Sequence, residues 1–103
     1  MRLRIARGAG VRLDGLQPPM VVGLMIAACV FNDFGYECIV TSATDGRHST
    51  GSLHHTGKGV DFRRRHLADR DVGNVVSKLI ENLGDEFDVV LEDTHIHIEY
   101  DPS

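Results

Sequence analysis

The sequence predicts a single α+β domain, in which a small, mostly antiparallel sheet packs against two helices. Three observations lead to this fold class. The chain has 103 residues, of which 42% are hydrophobic, and this length suits one core and leaves no room for a second domain. No internal repeat, low-complexity tract or linker divides residues 1–103. Two segments have helical patterns or lengths, and short segments between and after them favour strands. The strand segments lie near Cys38, Val60, Phe87 and His95.

The first half of the chain predicts one short extended segment, one helix and one strand. Residues 2–16 alternate weakly between apolar and basic side chains and contain three glycines, which indicates a short strand or an extended arm. A proline pair then precedes residues 20–32, which are almost wholly apolar and end near Gly35, as expected of a helix that is buried on most sides. Residues 38–42 are rich in β-branched side chains, so they favour a strand.

An amphipathic helix in the second half is the clearest element of the sequence. Its apolar residues recur at i, i+3, i+4, i+7, i+8 and i+11, which is the spacing of one helix face, and Gly84 lies just past its end. Either Asp69 or Asp71 is expected to cap its start. The apolar stripe consists of Val72, Val75, Val76, Leu79, Ile80 and Leu83.

A strand around Asp61 is predicted to have two different faces. Because side chains alternate along a strand, Val60 and Phe62 enter the core while Asp61 points the opposite way. Residues 63–66 form a basic run with two interpretations. A solvated charge run is the usual case, and a patch that attracts an anionic polymer is the alternative.

Residues 87–92 and 95–100 predict a β-hairpin, because two segments of strand length are separated by only two residues. Directly opposed residues of a hairpin have their side chains on one face. Glu92 and His95 are therefore expected to lie opposite each other, with His97 on the same face as His95. The other face of the second strand is apolar.

Composition and charge exclude several classes of protein. The formal net charge of −4 gives no overall basic field for a nucleic-acid or membrane partner. The apolar run of residues 20–31 is shorter than the roughly 20 residues of a membrane span, and the N-terminus lacks the apolar core of a signal peptide. We expect synthesis in the cytosol, a monomeric state, and two buried free thiols at Cys29 and Cys38.

Four of the six histidines fall in two short segments that also contain carboxylates. A catalytic zinc ion needs three protein ligands, usually imidazoles and carboxylates, and one open position. His54, Asp61 and either His95 or His97 meet that count. Glu92, three residues before His95, is placed to act as a general base beside such an ion without binding it.

The segment from Ser52 to Asp61 resembles a known peptidase motif. Ser52-x-His54-x-x-Gly57-x-Gly59-x-Asp61 is similar to the Ser-x-His-x-x-Gly-x-Ala-x-Asp motif of the zinc D-Ala-D-Ala carboxypeptidase family, which includes the L-alanyl-D-glutamate endopeptidases of phage lysins. In that family the histidine and the aspartate bind zinc, and the serine lies near the substrate. The resemblance implies these roles for His54, Asp61 and Ser52, although Gly59 stands where alanine is usual.

A second motif and an arginine extend the resemblance over more than half of the chain. Glu92-x-x-His95 resembles the family's Glu-x-x-His, which supplies the catalytic base and the third zinc ligand. Residues 42–47 resemble its Ser-Gly-Tyr-Arg segment with two extra residues, which makes Arg47 the match for an arginine that contacts the substrate or transition state. His97 competes with His95 as the third ligand, because some members end in an apolar-His-apolar-acid pattern. The histidine that does not bind zinc is expected in the substrate cleft.

The resemblance implies a fold, a cofactor and an activity. It implies a hedgehog/D,D-peptidase-like arrangement, one zinc ion, and hydrolysis of an amide bond in peptidoglycan stem peptides, either between two D-alanines or between L-alanine and D-glutamate. A phage lysin that degrades the cell wall is one such enzyme. Two alternatives stay open, namely a metal-stabilised cell-wall binding module without turnover and a cytosolic dipeptidase for D-amino-acid dipeptides.

His48 and His66 are predicted to be solvated loop residues.

Overall fold

The computed structural model describes residues 1–8, 10–43 and 58–102. The predicted α+β class, with one sheet and two helices, is confirmed. In chain order, these residues form β1 (Leu3–Ile5), α1 (Pro18–Asp33), β2 (Cys38–Ser42), β3 (Gly59–Arg63), α2 (Asp69–Leu83), β4 (Phe87–Leu91) and β5 (His95–Tyr100).

The five strands form one mixed sheet in the order β1-β2-β3-β5-β4. β1 and β2 are parallel, whereas the other three neighbouring pairs are antiparallel, so the sheet is mostly antiparallel as predicted. β4 and β5 form the predicted hairpin, with Leu91 opposite Ile96. The pairing of β2 with β3 shifts register between Val40 and Ser42.

The hydrophobic core lies between one face of the sheet and the two helices. Strands β3 and β5 contribute apolar side chains to it, and buried residues of both helices belong to the same cluster. On α2 most of the predicted stripe faces this core, whereas Ile80 is 54% exposed. The largest fully buried side chains are Phe31, Phe62, Met20, Leu79, Ile96 and Ile98.

Helix α1 starts at the proline pair, as predicted, but it is not buried on most sides. Its inner side includes Met20, Leu24 and Phe31, while Val22 and Met25 on its outer side are more than half exposed. A helix that is apolar all round gives no pattern to show which side meets the core. Among the helices that the structure describes, none is long and apolar enough to cross a membrane.

The two cysteines lie in different environments. Both are free, but Cys29 is exposed on α1 and Cys38 is buried at the start of β2. The prediction of a buried free thiol is therefore confirmed for Cys38 and wrong for Cys29. Burial raises the pKa of the Cys38 thiol to about 12, because an apolar environment disfavours the thiolate.

Helix α2 begins without the side-chain cap that the sequence predicted. Its N-cap residue is Ala68, which makes no side-chain hydrogen bond, and Asp69 and Asp71 lie within the first turn. The Asp71 carboxylate accepts a hydrogen bond from the Tyr36 hydroxyl. Both acids are therefore placed to interact with the positive end of the helix dipole, and neither is the cap.

His66 is packed against aromatic rings, contrary to its prediction as a solvated residue. Its ring centroid lies 6.3 Å from that of Phe31 and 6.1 Å from that of Tyr36. Its Nε2 is 2.7 Å from the carbonyl oxygen of Glu37. These partners are about thirty positions away in the chain, so no local pattern around His66 reveals them.

Candidate metal centre

The polar face of the sheet, which we define by Asp61, His95, His97 and Glu99, lies opposite the core. Each of these residues alternates with apolar residues along β3 or β5, and strand geometry therefore turns it away from the helices. The structure brings the aspartate and both histidines together on this face.

The pairing of β3 with β5 determines which polar side chains meet. Asp61 lies directly opposite His97, and Arg63 lies directly opposite His95. Asp61 and His97 are 36 positions apart in the chain, so their contact depends on the tertiary fold. Directly opposed residues on antiparallel strands have Cβ atoms about 5 Å apart, which is close enough for their side chains to share an ion.

Asp61 is at the centre of the polar contacts on this face. Its Oδ1 lies 2.8 Å from His97 Nδ1 and 3.6 Å from His95 Nε2. The residue is only 8% exposed, so the desolvation of an ionised carboxylate has to be offset by these neighbours. The buried carboxylate of Asp61 therefore lies beside the imidazoles of His95 and His97.

His97 lies between two carboxylates. Its Nδ1 is 2.8 Å from Asp61 Oδ1, and its Nε2 is 2.5 Å from Glu99 Oε1. Burial, the largest single influence, lowers the pKa of His97, but hydrogen bonds to Asp61 and Glu99 and the charges of both acids together outweigh it. The pKa of His97 is therefore raised above its ordinary value, as expected when both ring nitrogens donate to carboxylates.

The spacing of these groups fits two ligands of one zinc ion. Nitrogen and oxygen ligands lie about 2.0–2.2 Å from zinc, and a tetrahedral arrangement separates two of them by about 3.4 Å. The 3.6 Å between His95 Nε2 and Asp61 Oδ1 is close to this separation. His97 Nδ1 lies 2.8 Å from Asp61 Oδ1, so these two atoms would have to move apart by about 0.6 Å to reach the separation of two zinc ligands.

The second ring nitrogen of each histidine also bears on the choice of ligand. A metal-bound imidazole usually donates its other N–H to a carboxylate, a backbone carbonyl or a water molecule. His97 has such a partner in Glu99, whereas His95 Nδ1 lies 3.1 Å from the hydroxyl oxygen of Thr94. The distance between His95 Nε2 and Asp61 Oδ1 thus favours His95 as the metal ligand. Two other observations favour His97, namely its carboxylate partner Glu99 and its position directly opposite Asp61.

Glu92 lies at the end of the hairpin, opposite His95. Its backbone N–H donates to the His95 carbonyl oxygen at 2.9 Å, and its own carbonyl oxygen accepts a hydrogen bond of 2.7 Å from Arg64. The residue is exposed. Its carboxylate forms no hydrogen bond or ion pair with another residue in the described ranges.

Three predicted site residues, Arg47, Ser52 and His54, lie outside the described residues. Of the predicted zinc ligands, the structure describes Asp61 and His95, and it finds them on one face. The competing ligand His97 lies on that face too.

A group of acids on the hairpin was missed by the sequence analysis. Within the described ranges, Asp88, Glu99 and Asp101 are the three side chains of metal-ligating type whose ligand atoms all lie within 4.8 Å of one another. Desolvation first, and then the neighbouring carboxylates of Asp101 and Glu99, raise the pKa of Asp88. Asp88 is opposite Glu99 in the hairpin, a pairing that the hairpin register predicts. Exposed acids often cluster without an ion, so this group alone does not indicate a metal site.

Comparison of the sequence with protein-family models and with curated proteins finds no match.

Proposed function

We propose that the protein is a zinc-dependent peptidase with a hedgehog/D,D-peptidase-like fold, which hydrolyses an amide bond in peptidoglycan stem peptides. One observation carries the proposal. The Asp61 carboxylate lies 2.8 Å from one imidazole and 3.6 Å from another, those of His97 and His95. These are residue types of a catalytic zinc site, and the 3.6 Å separation is close to that of two zinc ligands. All three residues belong to the two segments that carry the family resemblance.

In this proposal the ion has three protein ligands. They are His54, Asp61 and one imidazole of β5, which leaves one position open. His95 and His97 are alternatives for the third ligand. The histidine that does not bind the ion lines the substrate cleft, because both lie on the same face of one strand.

The residues around the ion have separate roles in hydrolysis. A bound zinc ion supplies an activated water near neutral pH and polarises the scissile carbonyl. Glu92 accepts the proton of the attacking water and delivers it to the leaving amine as the C–N bond breaks. Arg47 stabilises the developing oxyanion or holds a substrate carboxylate, and Ser52 contacts the substrate. The unpaired state of the Glu92 carboxylate among the described residues supports its role as the base.

The proposed setting is the bacterial cell wall. The chain acts as a monomer on peptidoglycan peptides, in the manner of the catalytic domain of a phage lysin that reaches the wall from the cytosol. The net charge of −4 supports a substrate other than nucleic acid.

The test compares hydrolysis and zinc content in three proteins. Wild type, Glu92→Gln and the control Glu81→Gln, an exposed glutamate of α2 near Lys78, are incubated with muropeptides, and the products are identified by mass spectrometry. We expect equal zinc in all three, loss of hydrolysis by about 10²-fold or more in Glu92→Gln, and full activity in Glu81→Gln. Release of D-alanine indicates carboxypeptidase activity, and new L-alanine termini or free L-alanine indicate the endopeptidase.

Other outcomes contradict the proposal and identify its alternatives. Zinc in the wild type without any hydrolysis indicates a metal-stabilised cell-wall binding module. Hydrolysis of free D-alanyl-D-alanine but not of muropeptides indicates a dipeptidase. Equal activity in wild type and Glu92→Gln removes Glu92 from the mechanism.

A further inference from the structure

A small cavity adjoins the candidate metal centre. Its volume is about 280 Å³, and it shares His95 with the polar face, where Nε2 of this residue is 3.6 Å from the Asp61 carboxylate. The cavity is lined by Thr41, Arg63, Arg65, Asp93, Thr94 and His95.

The charges around this cavity favour an anion. Its lining contains two arginines, Arg63 and Arg65, and one acid, Asp93. The pairing of β3 with β5 places Arg63 directly opposite His95. Two residues further along the chain, Arg65 lies in the turn that follows β3, and it also lines the cavity.

The arginines of the cavity differ from other arginines of the chain in their partners. Arg4 pairs with Glu37 at 2.9 Å, and Arg64, between the two cavity arginines, donates to the Glu92 carbonyl oxygen. Within the described residues, Arg63 and Arg65 have no hydrogen bond or ion pair from their side chains. Two guanidinium groups beside a cavity, without acidic partners in the described part of the chain, have their donors available to a ligand.

We propose that this cavity is a subsite for a carboxylate of the peptide substrate. Arg63 and Arg65 bind the carboxylate through charge-assisted hydrogen bonds, for which the planar guanidinium fork is well suited. The cavity wall also includes Thr41 and Thr94, whose hydroxyl groups already have partners in the Asp61 carbonyl oxygen and His95 Nδ1. The inference rests on the proposed function, because it takes the ligand to be the peptide that is cut beside Asp61.

The subsite restricts the substrate to peptides with a free carboxylate near the scissile bond. Stem peptides with lysine as the third residue offer two such groups, the C-terminal carboxylate of D-alanine and the free carboxylate of D-glutamate. Both have the same chemistry, and the position of the one that is recognised determines which amide bond faces the metal centre.

The test measures binding of three synthetic stem peptides by calorimetry. The first has both carboxylates free, the second is amidated at the C-terminus, and the third is amidated at the D-glutamate carboxylate. Measurements in zinc-loaded Glu92→Gln protein prevent turnover. We expect one amidated peptide to bind about tenfold more weakly or worse, the effect of losing a hydrogen-bonded charge, and the identity of that peptide shows which carboxylate is bound.

Variants of the arginines link this discrimination to the cavity. Arg63→Gln and Arg65→Gln are each expected to reduce the preference for the free carboxylate, and Arg63→Lys to retain part of it. The control Arg70→Gln, at an exposed position of α2, should discriminate as the parent does.

Two results would overturn the subsite. One is that both amidated peptides bind within about twofold of the free peptide, and the other is full discrimination in both Arg63→Gln and Arg65→Gln. Failure of the proposed function gives a different result, in which peptides bind with the expected discrimination but no variant with Glu92 intact cleaves them.

Discussion

The two faces of β3 and β5 are built from alternating residues of the same strands, yet they differ in what their residues contribute. The core face is apolar, and its side chains are almost completely buried. The polar face holds a carboxylate that is also buried, with imidazoles and a second carboxylate around it. The core face consists of Val60, Phe62, Ile96 and Ile98, and the polar face of Asp61, His95, His97 and Glu99.

This difference separates two roles of the same strands, in which the core face stabilises the fold and the polar face holds the candidate site. Full burial of a large apolar side chain stabilises the fold by about 1.5–3 kcal/mol. Burial of one ionised carboxylate costs several kcal/mol unless partners offset it, and Asp61 is only 8% exposed. A buried charge cluster is therefore a poor way to stabilise a small sheet and is better explained by a functional site.

The largest expected effect is on the core face. Phe62 is fully buried and its ring centroid lies 5.6 Å from that of Phe31, so Phe62→Ala should lower the free energy of unfolding by about 3–5 kcal/mol. On the polar face, His95→Ala should lower it by less than about 1 kcal/mol in metal-free protein. Urea unfolding followed by circular dichroism measures both values. Similar losses in the two variants would contradict the division between the faces.

A second effect concerns the response of the polar face to zinc. At free zinc about 100 times the dissociation constant, wild type should gain about 2.7 kcal/mol of stability, whereas Asp61→Asn should gain much less because it loses a ligand. The control is Asp88→Asn, which alters the acidic group of the hairpin and should respond as wild type does. The gain is measured from urea unfolding with and without zinc, after treatment with a chelator. The reverse result, with Asp88→Asn insensitive to zinc, assigns the ion to the acidic group.

A smaller effect is expected from pH in metal-free protein. The pKa of His97 is raised above the ordinary histidine value of 6.5, because the protonated ring interacts more favourably with its carboxylate neighbours in the folded state than in the unfolded chain. The resulting stability is fully present below about pH 6.5 and is lost as the pH rises through the folded pKa. The stability difference between wild type and His97→Gln should therefore shrink with rising pH across that window. A difference that is constant or grows with pH contradicts the proposed environment of His97.

The smallest effect is a difference in reactivity between the two thiols, because one lies on the outer surface and the other in the core. At about pH 8, iodoacetamide should modify Cys29, which is exposed, and leave Cys38, which is buried with a pKa of about 12. After denaturation both cysteines should react. Mass spectrometry of native and unfolded protein counts the modified thiols, and rapid labelling of Cys38 in the folded protein would show that β2 is more open than the structure indicates.

Local patterns predicted much of this fold. The stripe of α2 and the strand lengths around the two-residue connection were sufficient for the helix and the hairpin. The parallel pairing of β1 with β2 was not predictable in this way, because the partners Leu3 and Cys38 are far apart in the chain. The exposed side of α1 was also missed, because the sequence of a helix that is apolar all round does not show which side faces the core.

Local patterns also predicted one part of the candidate site and missed another. Alternation predicted that Asp61 points away from the core and that His95 and His97 share a face. It did not predict that Asp61 lies directly opposite His97, because the register between distant strands depends on tertiary packing. For the same reason the basic run that begins at the last residue of β3 gave no sign that Arg63 lines a cavity beside His95.

The most direct test of the central claim is a crystal structure of the zinc-loaded protein with anomalous data at the zinc edge. The account predicts one ion with an Asp61 oxygen, a nitrogen of His54 and a nitrogen of His95 or His97 at about 2.0–2.2 Å, and an open fourth position. The identity of the third ligand also decides between the two histidines. An ion found only among Asp88, Glu99 and Asp101, or one that is beyond bonding distance of Asp61, would contradict it.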